Sequence, residues 1–250
     1  MSARILEVDP ELGLRIPVNE VSRAREELVA RILTLKPGHW DVPRGESVRG
    51  QLGFLIVDGL LARDITLAGR TATELLGDGD VVQPWVAGRD DGLVRYRVVW
   101  HVLEPMRVVI LDDAFGRALA SWPQVISALL ERAVRRTHRM SIHEALLQLS
   151  PVETRLLVLF WHLAERWGRV TPGGIALRLR LPHALLGQLV GCQRASVTTG
   201  LQHIYSTGEL ARRGDGTWLL TGEPPHELAS LHWDAGATVE RDAGHTSLQV

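Results

Sequence analysis

The stretch LLGQLVGCQRASVTTGL, Leu185 to Leu201, constrains the fold of this chain more than any other. Leu185, Leu186, Leu189 and Val190 recur at helical spacing in its first half, and Val197, Leu201 and Ile204 recur at i, i+4 and i+7 after it. Gly191, Cys192 and Gln193 stand between the two runs, and one helix carried through them would cost about 1 kcal/mol at the glycine alone. Two short helices joined by a turn satisfy the pattern. The second shows Arg194, Ser196, Thr199 and His203 away from its apolar face, all able to donate hydrogen bonds to phosphates or base edges. Gln193 in the turn and His183 at the start of the first helix are the neighbouring candidates. This is the layout of a helix-turn-helix whose second helix enters a DNA major groove, with an ordinary αα-hairpin as the alternative.

The flanks extend it. GGIALRLRL, Gly173 to Leu181, alternates apolar residues and arginines as a half-exposed strand does, and ARRGDGTWLL, Ala211 to Leu220, reads as two short strands around a Gly-Asp-Gly turn. Strand, helix-turn-helix and hairpin together make a winged helix, with Arg212 and Arg213 on the wing. Between Arg169 and Gly222 six arginines face two carboxylates, a net of +4, whereas the whole chain carries −1. Positive charge is concentrated where a phosphate-binding face would lie. On these residues LLGQLVGCQRASV resembles the helix-turn-helix of the CRP/FNR family of bacterial transcription regulators, in which a G-x-x-V-G-C-x-R-x-x-V run is typical.

Upstream, residues 21–113 read as short strands separated by glycine turns: FLIVDGLLARDITL, TATELL, GDGDVV, VRYRVVWHVL and RVVILD. Such close spacing predicts a β-roll or sandwich. Gly59 and the Gly77-Asp78-Gly79-Asp80 turn resemble landmarks of the cyclic-nucleotide-binding roll of the same family, and LEPMRVVILDD resembles its closing strands. Ser121 to Leu149 is almost free of helix breakers after Pro123. Within it Trp122, Ile126, Leu129, Ala133, Arg136 and Met140 step by four and three, an a/d seam with one polar interruption. Such a stripe either packs on its own domain or takes a partner helix, and the resemblance implies the second, a parallel homodimer with Trp122, Ile126, Leu129, Ala133 and Met140 in the interface.

The expected architecture is α+β: an N-terminal extension over 1–20, a cyclic-nucleotide-binding-like β-roll over 21–113, a dimerisation helix over 114–150, a winged helix-turn-helix over 151–222 and a polar tail over 223–250. A 45% apolar composition over 250 residues suffices for these cores. No apolar run reaches membrane-spanning length and the N-terminus lacks a signal-peptide region. The lone Cys192 fits a reducing cytoplasm.

The sensor-like part departs from the cyclic-AMP pattern. Gln83-Pro84-Trp85 stands where the resemblance implies Gly-Glu-Leu, so the carboxylate that would hold a ribose is missing. Arg97 falls at the phosphate-binding position, followed by Val98 in place of a hydroxyl residue. Arg89, Arg95 and Arg97 remain as candidates for another anion, with a solvated strand face as the alternative. Cyclic AMP is not expected as effector, and no cofactor is expected: one cysteine cannot ligate an iron-sulfur cluster, and His39 and His101 read first as surface or hydrogen-bonded residues, with haem ligation as the alternative. The reading helix keeps Arg194 but has Ala195 and Thr199 where cyclic-AMP receptor relatives often carry Glu and a second Arg, which implies a different operator.

No nucleophile elbow, P-loop, zincin or dinucleotide motif is present, and the carboxylates do not cluster, so an enzyme is disfavoured. The chain reads as a homodimeric DNA-binding regulator whose partners are duplex DNA with an inverted-repeat site and a second copy of itself, with RNA polymerase a further candidate. A winged helix that binds protein instead of DNA is the competing reading.

Overall fold

The computed structural model describes residues 2–42, 51–84 and 93–225. Its N-terminal half is an antiparallel roll of β1 (Ser2–Arg4), β2 (Val29–Leu35), β3 (Gly38–His39), β4 (Gly53–Leu67), β5 (Arg70–Leu76), β6 (Val81–Val82) and β7 (Arg97–Leu111). Strand order is β1-β2-β7-β4-β5, with β3 on β7 and β6 on β4. β4 and β7 are 15 residues each and pair along most of their length, with register shifts between Ile56 and Leu61. That irregularity bends the ribbon, so Phe54–Ile56 pair with Val108–Ile110 while Leu61–Thr66 pair with Arg97–Val102. Gly59 sits in the bend at φ +96°, and a Cβ there would lie 2.5 Å from the Pro105 carbonyl oxygen. Only glycine fits. VRYRVVWHVL and RVVILD are therefore parts of one strand, continuous through Pro105 and starting at Arg97.

The roll encloses a core of Trp40, Phe54, Ile56, Leu61, Leu76, Val82, Trp100, Val102, Met106, Val108 and Ile110. The N-terminal extension packs on the roll over residues 2–20: β1 pairs with β2, and Ile5, Leu6, Leu12 and Ile16 are buried with Phe115, Leu119 and Trp122 in a second core. The sequence gives little warning, because helix α1 (Ile5–Val8) is a single turn that only tertiary contacts hold.

Helix α2 (Val21–Glu27) precedes β2, and α3 (Asp113–Leu119) follows β7, its N-terminus capped by Asp112, which accepts from the Phe115 N–H at 3.1 Å. α4 (Pro123–Leu146) then runs 24 residues with proline in its first turn. Its faces differ from the seam expected above. Trp122 is buried in the chain's own core and donates from Nε1 to Glu27 at 2.9 Å, and Leu129 also packs there. The outward apolar stripe is instead Ile126, Leu130, Ala133, Val134 and Met140, with Leu130 63% exposed. In the single chain Trp122 is thus taken up by the core and Leu129 partly so, while Leu130 and Val134 join the exposed stripe.

The C-terminal part consists of α5 (Val152–Trp167), β8 (Gly168–Thr171), β9 (Gly174–Leu177), α6 (His183–Val190), α7 (Arg194–Thr207), β10 (Leu210–Arg212) and β11 (Trp218–Leu220). Its sheet order is β10-β11-β9-β8. The predicted strand through Leu181 stops at Leu177. Alternation persists, with Leu179 and Leu181 buried, but the Leu179 carbonyl accepts from the Trp218 indole at 3.1 Å instead of a strand partner. Leu60, Ala62 and Leu75 of the roll join the apolar core of this part, so the halves share buried surface.

Candidate nucleic-acid interface and associated cavities

The break between α6 and α7 is made by Gly191, whose φ of +67° ends α6 in the left-handed conformation while its N–H bonds the Gly187 carbonyl. The Cys192 N–H reaches the same carbonyl at 2.9 Å. Val197, Leu201 and Ile204 are buried, which turns Arg194, Ser196, Thr199 and His203 to the exposed side, with Gln193 exposed at the N-cap of α7. His183 is different. Its Nδ1 lies 2.9 Å from the Thr198 hydroxyl, which itself donates to the Arg194 carbonyl at 3.1 Å. Since that hydroxyl has one proton, His183 Nδ1 is the donor, and the pair ties the start of α6 to α7.

A groove of about 1090 Å³ runs beside this helix, bordered by Arg178, Arg180, Arg194 and Arg212 and by the wing residues Gly214–Thr217. Glu104 of β7 and Asp215 line it as well. Arg212 stacks over the Trp218 ring at 4.8 Å, which orients its guanidinium, and Arg213 is exposed at the wing. Arg178 and Arg180 were missed as individual site residues. Their signal was present in the alternation of GGIALRLRL, where the arginines occupy the solvent positions.

The roll has a cavity of about 480 Å³ lined by Arg63, Ile65, Leu67, Gln83, Val94, Tyr96, Val98, Trp100 and Arg136. Arg95 and Arg97 are not on its wall. Both are exposed, whereas Val94, Tyr96, Val98 and Trp100 line the cavity. Alternate residues of a strand point to opposite faces, so Arg97, the first residue of β7, lies one residue out of phase with Val98 and the cavity, and Arg95 precedes the strand. Arg89 lies outside the described residues. The cations that do line the cavity are Arg63 and Arg136, joined through Glu74: Arg136 grips it with Nε and Nη2 at 2.8 and 2.9 Å, and Arg63 Nη2 approaches it at 2.8 Å. The Gln83 amide donates to the Leu52 carbonyl at 2.6 Å.

The halves of the chain are joined by charge. Asp80, in the turn before β6, is 2% exposed and accepts from the Gly77 N–H, from Arg139 of α4 at 2.6 Å and from Arg166 of α5 at 2.8 Å. Arg166 also donates to the Asp78 carbonyl at 2.7 Å. Thr73 of β5 reaches Gln188 of α6 at 3.3 Å.

His162 of α5 stands in this joint, and burial, helped by His143, Arg139 and His138, lowers its pKa to about 4. Because the folded value lies below the unfolded 6.5, the unfolded chain binds the proton better. Stability from this residue is therefore complete above about pH 6.5 and is lost as pH falls from there toward about 4. The interval corresponds to about 3 kcal/mol. Urea midpoints measured from pH 7 to pH 4 should fall accordingly, and His162→Gln should flatten the fall; an unchanged pH profile in that variant would assign the acid sensitivity elsewhere.

His39 and His101 are cross-strand neighbours whose rings meet edge-on at 5.7 Å, beside Asp41 and Asp64 respectively. Among the described residues no group of three or more His, Cys, Asp or Glu side chains is placed to hold a metal ion, and no helix is long and apolar enough to cross a membrane.

No protein-family model and no curated protein matches the sequence. Solved structures do. A double mutant of CooA from Carboxydothermus hydrogenoformans superposes with a TM-score of 0.63 at 18% identity, covering 89% of this chain and 94% of its own. A cyclic nucleotide-binding domain containing protein from Listeria monocytogenes gives 0.64 at 14% identity, covering 85% and 97%. A CRP/FNR-family transcriptional regulator from Thermus thermophilus gives 0.55 at 17%, covering 77% and 94%. The chain has the fold these proteins share, a roll followed by a long helix and a winged helix-turn-helix.

Proposed function

We propose that this protein is a homodimeric, sequence-specific DNA-binding transcription regulator of the CRP/FNR type, not controlled by cyclic AMP. The observation that carries the reading is the exposed row Gln193, Arg194, Ser196, Thr199 and His203 on α7, beside a groove bordered by Arg178, Arg180, Arg194 and Arg212. Row and groove match the two tasks of a DNA reader, base edges for sequence and phosphates for position. The likeness to regulators of this fold supports it.

The departure from cyclic AMP rests on the roll. Gln83 spends its amide on a backbone carbonyl, and Arg97 is absent from the cavity wall, so neither group is placed to hold a ribose or a cyclic phosphate. Arg63 and Arg136 make the cavity suited to a different anionic effector.

Selection of bound duplexes from a random pool tests the reading and should return an inverted repeat. On that site Arg194→Ala should cost about 1 to 3 kcal/mol, because a bidentate contact to guanine is within the reach of an arginine in the first turn. Arg212→Ala and Arg213→Ala should weaken all sequences alike and reduce the slope of affinity against salt. Full operator affinity in the Arg194 variant would reject α7 as the reading helix, and binding indifferent to salt would favour a protein partner for the winged helix.

A further inference from the structure

A second cavity, of about 300 Å³, lies at the joint between β4 and β5 of the roll, the second half of α4, and α5 with α6. Its lining is largely apolar, including Ile65, Leu75, Leu147, Leu159, Leu163 and Leu189, and Arg63, Arg136, Arg139 and Arg166 stand on its wall. A wall of four guanidiniums against an apolar floor needs an electrostatic account.

The available carboxylates are shared. Glu74 serves both Arg63 and Arg136, and Asp80 serves both Arg139 and Arg166. Glu144 stands on the lining as an exposed group. Even with it counted, three carboxylates face four guanidiniums. His143 and His162, also on the lining, do not redress this, because burial lowers the pKa of both and leaves them neutral at pH 7. Burial likewise pulls the Arg63 guanidinium below its ordinary value, Glu74 opposing, and Arg63 Nε is buried without a hydrogen-bond partner. A cationic wall short of anions, over an apolar floor, complements a molecule with one negative end and one greasy end.

We propose that this joint cavity binds a small organic anion, a carboxylate or sulfonate carried on an aromatic or branched aliphatic body, in a space distinct from the cavity of the roll although the two share Arg63, Ile65 and Arg136 as a common wall. The volume is at the small end of the range of roughly 300 to 1,000 Å³ seen for ligand sites, which suits a two-ring body. The head group takes the guanidiniums and the body covers the leucines. Roll, long helix and winged helix each supply part of the wall, so the ligand favours the one arrangement of the joint in which all of them meet. Binding at this cavity does not depend on whether the winged helix binds DNA.

Calorimetric titration of the full-length protein with 2-naphthoate, and with the neutral 2-naphthalenemethanol, tests it. The acid should bind saturably and the alcohol about tenfold or more weaker, since only the acid gains charge-assisted hydrogen bonds. Ala72→Trp should close this cavity, because Ala72 lines it from an exposed position and does not line the roll cavity; Val94→Trp should narrow only the roll cavity. The first variant should lose the acid about tenfold or more, and the second should keep it within about twofold. Should Ala72→Trp fail to fold, Ala72→Glu supplies the same test through charge, occupying the spare cation. Absence of saturable binding, equal affinity for the alcohol, or loss in the Val94 variant with retention in the Ala72 variants would each overturn the proposal.

Discussion

Replacing Asp80 with alanine should lower the stability of the folded chain by about 3 kcal/mol, at the lower end of the roughly 3 to 5 kcal/mol that follows when one partner of a buried ion pair is removed. The carboxylate is 2% exposed and accepts from three donors, the Gly77 N–H, Arg139 and Arg166. Its loss takes the carboxylate from two guanidiniums and one backbone donor at once, and Arg166 keeps only its bond to the Asp78 carbonyl. The lower end applies because the Arg139 side chain is 31% exposed and can recover part of its hydration. Neighbouring Asp78 has an exposed side chain, so Asp78→Ala should change stability by no more than about 0.5 kcal/mol. Urea unfolding reads both variants. A double-mutant cycle with Arg166→Ala then isolates the tie between the roll and α5, and a coupling near zero together with an Asp80 cost below about 1 kcal/mol would show that the Asp80 ion pairs do not hold the joint.

Asp80 also shows where sequence reading ends. A Gly-Asp-Gly-Asp run reads as a turn, and the turn is there, with Gly79 at φ +80°. Nothing local marks its second aspartate as buried, because its cationic partners lie 59 and 86 residues further along the chain. The helix-turn-helix was legible for the opposite reason: spacing of apolar residues, a glycine break and exposed polar positions are all local signals, and they fixed which side of α7 faces out. Arg95 and Arg97 fall between these cases. The strand was legible but its phase was not, and in a period of two a displacement of one residue exchanges every inward side chain for an outward one. Arg136 did leave a trace, as the single charge in the apolar stripe of α4, and its ion pair with Glu74 is the physical reason it is tolerated there.

The same phase problem sets the last prediction, that Leu130→Asp rather than Leu129→Asp is the substitution that separates two copies of this chain. Along α4 the side toward the roll carries Val125, Leu129, Arg132 and Arg136, engaged by the chain's own core and carboxylates. An aspartate at Leu129 would therefore damage the protomer as well as any dimer. Leu130 lies on the outward stripe with Ile126, Ala133, Val134 and Met140, all exposed in the single chain. Ile126, Leu130, Ala133 and Val134, at steps of three and four, form one apolar strip, with Met140 a heptad beyond Ala133 on the far side of Thr137, and the strip suits its equivalent on a second copy across a twofold axis. In such a dimer the variant forfeits two buried leucines at about 1.5 to 3 kcal/mol each, roughly a hundred- to twenty-thousandfold in dissociation constant before any charge repulsion is added. Sedimentation should show monomers at concentrations where the parent is dimeric, with the urea midpoint of the monomer little changed. Tight operator binding should go with the dimer, because only paired reading helices can span half-sites about 34 Å apart. A variant that remains dimeric places the interface elsewhere, and a monomer that keeps full affinity for the operator removes the need for a dimer in DNA recognition.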